Sequence, residues 1–278
     1  MTVGRRRFSA AGLLASGALV LIAFVFFMPM IWMILSSFKS NSAIFRSPFA
    51  LPESIDLSRW VRAWEVGNIG QYGFNSAIVT AASVLLILLL GSAAAFAFSR
   101  YRFKGRRVLM AVLALGLLLP LQSYFIAQSN IFTRLELTDT RWALIIPYTA
   151  MGLPLAVYLL KAYMDGLPDE LFDAARVDGA GDLRMFWTLA VPLLRPGLAT
   201  VAVFSALAAW NEFLLALLYI QDDGLKTIPT GLLAFSSRYT TDYGLLFSAL
   251  SIVTLPMIVI YLVFNRQITE GITAGSLK

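Results

Sequence analysis

Six runs of about 20 mostly apolar residues, separated by charged and turn-forming stretches, set the pattern of this chain: 13–35, 74–98, 108–126, 142–163, 198–219 and 245–264. At about 1.5 Å per residue each run covers the roughly 30 Å hydrocarbon layer of a bilayer, and backbone there must close its hydrogen bonds as helix. The pattern therefore predicts six transmembrane helices. The first run follows Arg5, Arg6 and Arg7 as a signal peptide does, but it is longer than a signal core, holds Phe26, Phe27 and Trp32, and lacks a small-x-small cleavage site before Lys39. It reads as a retained span. The third carries Pro120, Gln122 and Gln128 at its far end and is the least regular of the six. Pro29, Pro147, Pro154 and Pro256 lie inside runs and predict kinks. The small residues from Gly91 to Ala95, with Ala97, predict a face that another helix approaches closely.

Composition agrees with a membrane solvent: of 278 residues 59% are hydrophobic and 14% charged, against about 25% charged in ordinary soluble domains. Cys and His are both absent, which removes disulfides, Cys/His zinc sites, a Cys nucleophile and a Ser–His–Asp triad. The net charge of +6 changes the picture only through its distribution. The two termini, residues 99–107 and residues 161–195 carry 14 of the 22 Lys and Arg, so positive-inside reasoning puts both termini in the cytoplasm. Residues 99–107 hold five cations. They read as a topological anchor for anionic lipid headgroups rather than a nucleic-acid site.

The stretch between the fourth and fifth runs, 164–197, is too polar to cross and too patterned to be a linker. Pro168 followed by Asp169 and Glu170 marks a helix start, because proline suits the first turn and acids suit the positive end of the dipole. Gly179 and Gly181 mark its end, with Leu171, Phe172, Ala174, Ala175 and Val177 as an interrupted apolar face. A second helix is expected from Asp182 through Leu183, Phe186, Trp187 and Ala190, before Pro192 and Pro196 redirect the chain. Such a pair forms either an interfacial amphipathic element or a docking knob for a protein groove. Counting from Lys161 to Arg195, six acids against four cations favour the protein partner, since an anionic leaflet prefers the reverse.

At these residues the chain resembles a known family. Asp173-Ala-Ala-x-x-x-Gly179, nine residues, then Leu189-x-Val191-Pro192 is similar to the EAA loop of binding-protein-dependent ABC importer permeases, with Asp for Glu at 173, Leu for Ile at 189 and Val for Leu at 191. Leu167-Pro-Asp-Glu-Leu171 and the run from Ala174 to Ala180 look like the carbohydrate importers of the maltose permease type. Trp210-Asn-Glu-Phe-Leu214 and the ending from Gly271 to Lys278 resemble their second, smaller permease subunit. The resemblance implies an all-α polytopic membrane protein of six transmembrane helices with a cytoplasmic EAA coupling-helix loop, the type I ABC importer transmembrane fold, as a single permease domain over 1–278. It implies a bacterial or archaeal inner-membrane transport subunit rather than an enzyme. Its partners would be a second permease subunit in a heterodimer, a cytoplasmic ATPase dimer and an extracytoplasmic sugar-binding protein. The coupling residues it implies are Glu170, Asp173, Ala174, Ala175, Gly179, Leu189 and Pro192. The shorter Asp173 weakens any contact with an ATPase cation, and Glu170 is placed to share it.

The chain lacks Gly-x-x-x-x-Gly-Lys-Ser/Thr, so it cannot cradle nucleotide phosphates in the P-loop manner. No cofactor is expected in this chain; ATP and Mg belong on the partner ATPase. Asn211 and Glu212 fall inside the fifth run, where an acid at the bilayer centre costs about 2.5–3.5 kcal/mol on insertion scales. They either line a polar pathway or serve helix packing. The competing function is a secondary transporter or channel subunit with Glu212 as its ion or proton site. On the outer side, residues 221–244 either probe a binding protein or are solvated loop, and Trp60 and Trp64 are interface anchors or sugar-stacking surfaces.

Overall fold

A computed structural model describes residues 10–120, 123–235 and 241–274, with side chains placed within 16–262. Arg5, Arg6, Arg7, Gln122, Arg238, Tyr239 and the last residues of the C-terminal tail lie outside the described residues. The elements are helices: α1 (Ala10–Ser36), α2 (Asn41–Arg46), α3 (Ser58–Val66), α4 (Ile69–Arg100), α5 (Arg106–Leu118), α6 (Phe125–Arg134) and α7 (Trp142–Asp165). They continue as α8 (Asp169–Val177), α9 (Asp182–Met185), α10 (Val191–Leu193), α11 (Arg195–Asn211), α12 (Leu214–Tyr219), α13 (Ile228–Gly231) and α14 (Tyr243–Ala274).

Four of these, within α1, α4, α7 and α14, are long and apolar enough to cross a bilayer among the described residues, or five counting a bent pair. Six spans are expected, and the third and fifth of them are not single helices. The third run is interrupted: α5 stops at Leu118 after 13 residues, about 20 Å of helix, because Pro120 holds the residue before it extended. Leu119 has ψ 117°, and α6 starts separately at Phe125. The fifth run breaks at Glu212, whose backbone is extended at φ −70°, ψ 123°. The in-span prolines Pro29, Pro147, Pro154 and Pro256 all remain inside helices.

The chain divides into two compact units, Met1–Gly67 with Ala234–Ile252, and Asn68–Leu233 with Val253–Lys278. In the first, Ser248 Oγ donates to Ser37 O at 2.9 Å and the Trp32 ring meets the Phe247 ring at 5.2 Å. Trp60 stacks on Phe38 at 5.7 Å and donates from Nε1 to Ser37 Oγ, whereas Trp64 stays exposed.

The second unit is organised by α4 against α7. A Cβ on Gly91 would lie 3.0 Å from Ala156 Cβ, and one on Gly152 would strike Ile87, so the small residues of the second run permit this approach. Ile87, Ala95, Ala156, Leu160 and Val201 form a buried cluster joining α4, α7 and α11. Lipid tails are as apolar as these side chains, so close contact rather than transfer from water favours the packing.

Residues 221–231 are tied down by side-chain hydrogen bonds, with Gln221, Asp222 and Asp223 exposed and Thr227 and Ile228 buried. Asp139 Oδ1 accepts from the N–H groups of Gln221 and Asp222, both at 2.8 Å. Asn75 Nδ2 donates to Gly224 O and Lys226 O, and Ser76 Oγ accepts from Ile228 N–H.

Candidate functional site

The helix predicted after Pro168 is α8. Asp169 and Glu170 occupy its first turn, where carboxylates suit the dipole. Its end is a Schellman motif: Ala180 N–H donates to Ala175 O at 2.9 Å and Gly179 N–H to Arg176 O at 3.0 Å, with Gly179 at φ +76°. A side chain there costs about 1–2 kcal/mol. Of the apolar positions on α8, Phe172 alone is buried. Leu171, Ala174 and Val177 are exposed, Val177 at 88%, and Ala175 is half-buried.

What seats α8 is Arg100, the last residue of α4. Its side chain is only 5% exposed. Nη2 donates to Met164 O at 2.6 Å and to Leu167 O at 3.3 Å, Nη1 pairs with Asp169, and the guanidinium lies 3.8 Å from the centre of the Phe172 ring. One planar cation thereby satisfies carbonyls at the end of α7, the first carboxylate of α8 and the aromatic face beneath it, which a lysine point charge cannot do together. Ser99 Oγ donates to Asp165 Oδ1 at 2.6 Å, and Lys161 pairs with the same carboxylate.

Sequence reasoning grouped Arg100 with four neighbours as an anchor and missed this role. The available signal was spacing: Ser92, Phe96 and Arg100 recur every four residues, and the first two are buried on α4.

Beyond α8, helix runs from α9 through a π-helical turn at Phe186–Ala190 to α10. At Leu194 the chain bends by 76° into α11, between Pro192 and Pro196. Phe172, Met185, Phe186, Ala190 and Leu194 bury against Phe96 and Met164, with Leu189 and Ala175 at the margin. Leu183 and Trp187 stay exposed. Pro192 is half-buried. The Tyr101 hydroxyl, beside Asp182, is pushed up to about 12, first by desolvation and then by that carboxylate. Asp173 pairs with Arg176 within α8 at 2.8 Å, while Glu170 is exposed and makes no ion pair among the described residues.

Glu212 stands apart from this cluster. Its Oε1 accepts from Leu215 N–H at 3.0 Å; its Oε2 accepts from Leu215 N–H at 3.1 Å, Ala216 N–H at 3.3 Å and the Tyr148 hydroxyl at 2.8 Å. The carboxylate thus caps α12 across the break after α11. Asn211 is exposed and donates to Leu207 O one turn back. Among the described residues, no group of three His, Cys, Asp or Glu is placed to hold a metal ion.

Comparison with known proteins fits this arrangement. A family model described as binding-protein-dependent transport system inner membrane component matches residues 87–269. The diacetylchitobiose uptake system permease protein NgcG of Streptomyces coelicolor is 36% identical over 98% of this chain and 90% of its own length. The inner membrane ABC transporter permease protein YcjP of Escherichia coli is 34% identical over the whole of both chains. The trehalose/maltose transport system permease protein MalG of Thermococcus litoralis is 34% identical over 96% of each. In fold, the chain resembles one from the crystal structure of a bacterial ABC transporter involved in the import of the acidic polysaccharide alginate. The TM-score is 0.79 at 22% identity, over 96% of this chain and 99% of the other. The chain therefore belongs to the binding-protein-dependent transport system inner membrane components: it is a multi-pass permease subunit of an ABC transporter complex, a transport component and not an enzyme.

Proposed function

We propose that this chain is one half of the translocation pathway of an ATP-driven importer for sugars or oligosaccharides, and that α8 is the helix through which a separate cytoplasmic ATPase drives it. The observation that carries the reading is the seating of α8: Phe172 and Arg100 fix one side to α4 and α7, while Leu171, Ala174 and Val177 face outward. A helix held this firmly on one side and bare on the other transmits a push. Glu170, without an ion pair among the described residues, is the carboxylate offered to an ATPase cation; Asp173 must first leave Arg176. Ala174, Ala175 and Gly179 allow close approach, and Leu189 and Pro192 hold the following helix in register. Arg100 acts as a positioning residue.

The substrate class follows the diacetylchitobiose and trehalose/maltose systems among the relatives. Partners are a second permease subunit, an ATPase dimer carrying ATP and Mg, and an external sugar-binding protein, with both termini cytoplasmic. Six crossings are retained if α5 with α6 forms an interrupted third, and α11 with α12, stitched by Glu212, forms the fifth. Asn211, exposed beside that stitch, is the pathway residue of the pair. Moving such a two-state equilibrium from 1:99 to 99:1 requires about 5.5 kcal/mol of differential binding, so the ATPase must grip α8 differently in its two states.

Purification of the tagged chain from native membranes tests the proposal. Co-isolation of a nucleotide-binding subunit, lost in Ala175→Arg with membrane insertion intact, is the expected result. Ion-coupled uptake by this chain alone in liposomes, abolished by Glu212→Gln, would instead establish the secondary-transporter reading.

A further inference from the structure

The turn between α4 and α5 and the Phe172 side of α8 border a polar cavity of about 280 Å³, lined by Ser99, Arg100, Arg102, Arg106, Asp169 and Asp173 together with Phe172 and Arg176. That is many times the roughly 15 Å³ one water needs. The four arginines face two acids. Arg100 pairs with Asp169 and Arg176 with Asp173, which leaves Arg102 and Arg106 without an acidic partner among the described residues. The same two arginines line a second cavity, of about 550 Å³, with Phe103, Lys104, Arg107 and Val108.

Two further facts say what fills the space. The cavity lies where α4 runs out of apolar residues, at a bilayer surface. The helix leaving it, α5, has no buried residue and exposes Val108, Leu109, Val112 and Leu115. Arg106 is the first residue of α5 and lines the second cavity with Val108, so the basic turn passes into a bare apolar helix, which matches a ligand with an anionic head and hydrocarbon tails. A soluble anion has no use for the helix face, and an acidic protein surface has no use for its hydrocarbon.

We infer that Arg102 and Arg106 form a specific site for the phosphate of an anionic glycerophospholipid, set against α8 rather than spread over the basic turn. The acyl chains lie along α5. Because Arg100 and Arg176, the partners of Asp169 and Asp173, line the same cavity, the headgroup competes with those carboxylates for these two arginines, and the anionic lipid content of the membrane thereby tunes how α8 is held. The binding claim stands independently of the importer reading; only the tuning rests on it.

The test uses the full chain with its co-purified subunits in nanodiscs of phosphatidylcholine, titrated with phosphatidylglycerol and followed by native mass spectrometry. Charge-assisted hydrogen bonds to a phosphate add to the diffuse attraction that any cation in the turn supplies, so Arg102→Gln with Arg106→Gln is expected to weaken phosphatidylglycerol binding by roughly 25-fold or more. Lys104→Gln with Arg107→Gln removes the same charge from the same turn outside the 280 Å³ cavity and is expected to change binding less than fivefold. Equal losses in the two double variants would overturn the site in favour of a diffuse basic surface. Displacement of the bound lipid by inorganic phosphate at equal concentration would overturn the lipid assignment. Loss of the ATPase subunit from the first variant in pure phosphatidylcholine, with lipid binding unchanged, would show that the arginines serve a protein contact instead.

Discussion

Arg100 and Glu212 are both charged residues at the end of an apolar helix, and they do opposite jobs. Arg100 reaches out of its own helix: its partners are Met164, Leu167, Asp169 and Phe172, 64 or more residues away in the next parts of the chain. Glu212 works mostly at home, accepting from Leu215 and Ala216 three and four residues on, with Tyr148 as its one distant partner. The first ties three elements into one body; the second mends a break within one span. A charge in a membrane helix therefore marks either a joint between helices or a repair within one, and the sequence distance to its partners separates the two.

The largest effect is expected at the joint. Arg100→Ala removes hydrogen bonds from a charged donor worth about 1.5–3 kcal/mol in all and leaves the α7 carbonyls without their donor. Uptake in reconstituted complexes should fall more than tenfold while subunit assembly persists. Arg100→Lys, which keeps the charge without the planar fork, should recover only part of it. Full activity in Arg100→Lys would reduce the joint to its charge alone.

Next comes the stop signal of α8. Gly179→Val forces a β-branched residue to φ +76°, at about 1–2 kcal/mol, and should weaken ATPase association five- to tenfold in a pull-down titration. Gly181→Val, where φ is −70°, should leave it within twofold. Equal losses at both glycines would remove the left-handed turn from the account.

At the repair, Glu212→Gln keeps an acceptor for Leu215 N–H and loses the charge at the α12 N-terminus, about 1 kcal/mol. A small fall in melting temperature and a less than threefold fall in uptake, equal at pH 6 and pH 8, are expected. A loss of uptake confined to one pH would make Glu212 a proton carrier rather than a cap.

The smallest effect is at Tyr101. Because its hydroxyl titrates near 12 in the folded chain against an ordinary 10.0, the unfolded chain loses its proton first as pH rises. The stability this raised pKa contributes is complete below pH 10 and is lost as pH climbs to about 12. Tyr101→Phe, which cannot ionise, should match the wild type below pH 10 in thermal melts and melt at a higher temperature than the wild type above it.

These contrasts show what was readable from residue order. The limits of α8 were legible because Pro168, the two acids after it and Gly179 act locally. The spans of α1, α4, α7 and α14 were legible because apolar length alone sets them. The breaks in the third and fifth runs were not, since Pro120 ended a helix that hydropathy continued, and Glu212 sat in a stretch still apolar on both sides. Arg100 was hidden among five cations, and only its register with Phe96 set it apart. The π-turn at Phe186–Ala190 carries no local mark; its Phe186 and Ala190 share a buried cluster with the distant Phe96 and Met164.

The central claim, that α8 is the lever held by a separate ATPase, is tested most directly by cross-linking from its bare face. The chain contains no cysteine, so Ala174→Cys places a unique thiol on an exposed position of α8. In native membranes a short thiol-reactive cross-linker should capture a nucleotide-binding subunit from this position, with a yield that changes between ATP-bound and nucleotide-free conditions. Failure to capture that subunit in either condition, while the thiol remains fully reactive to a soluble maleimide, would contradict the account.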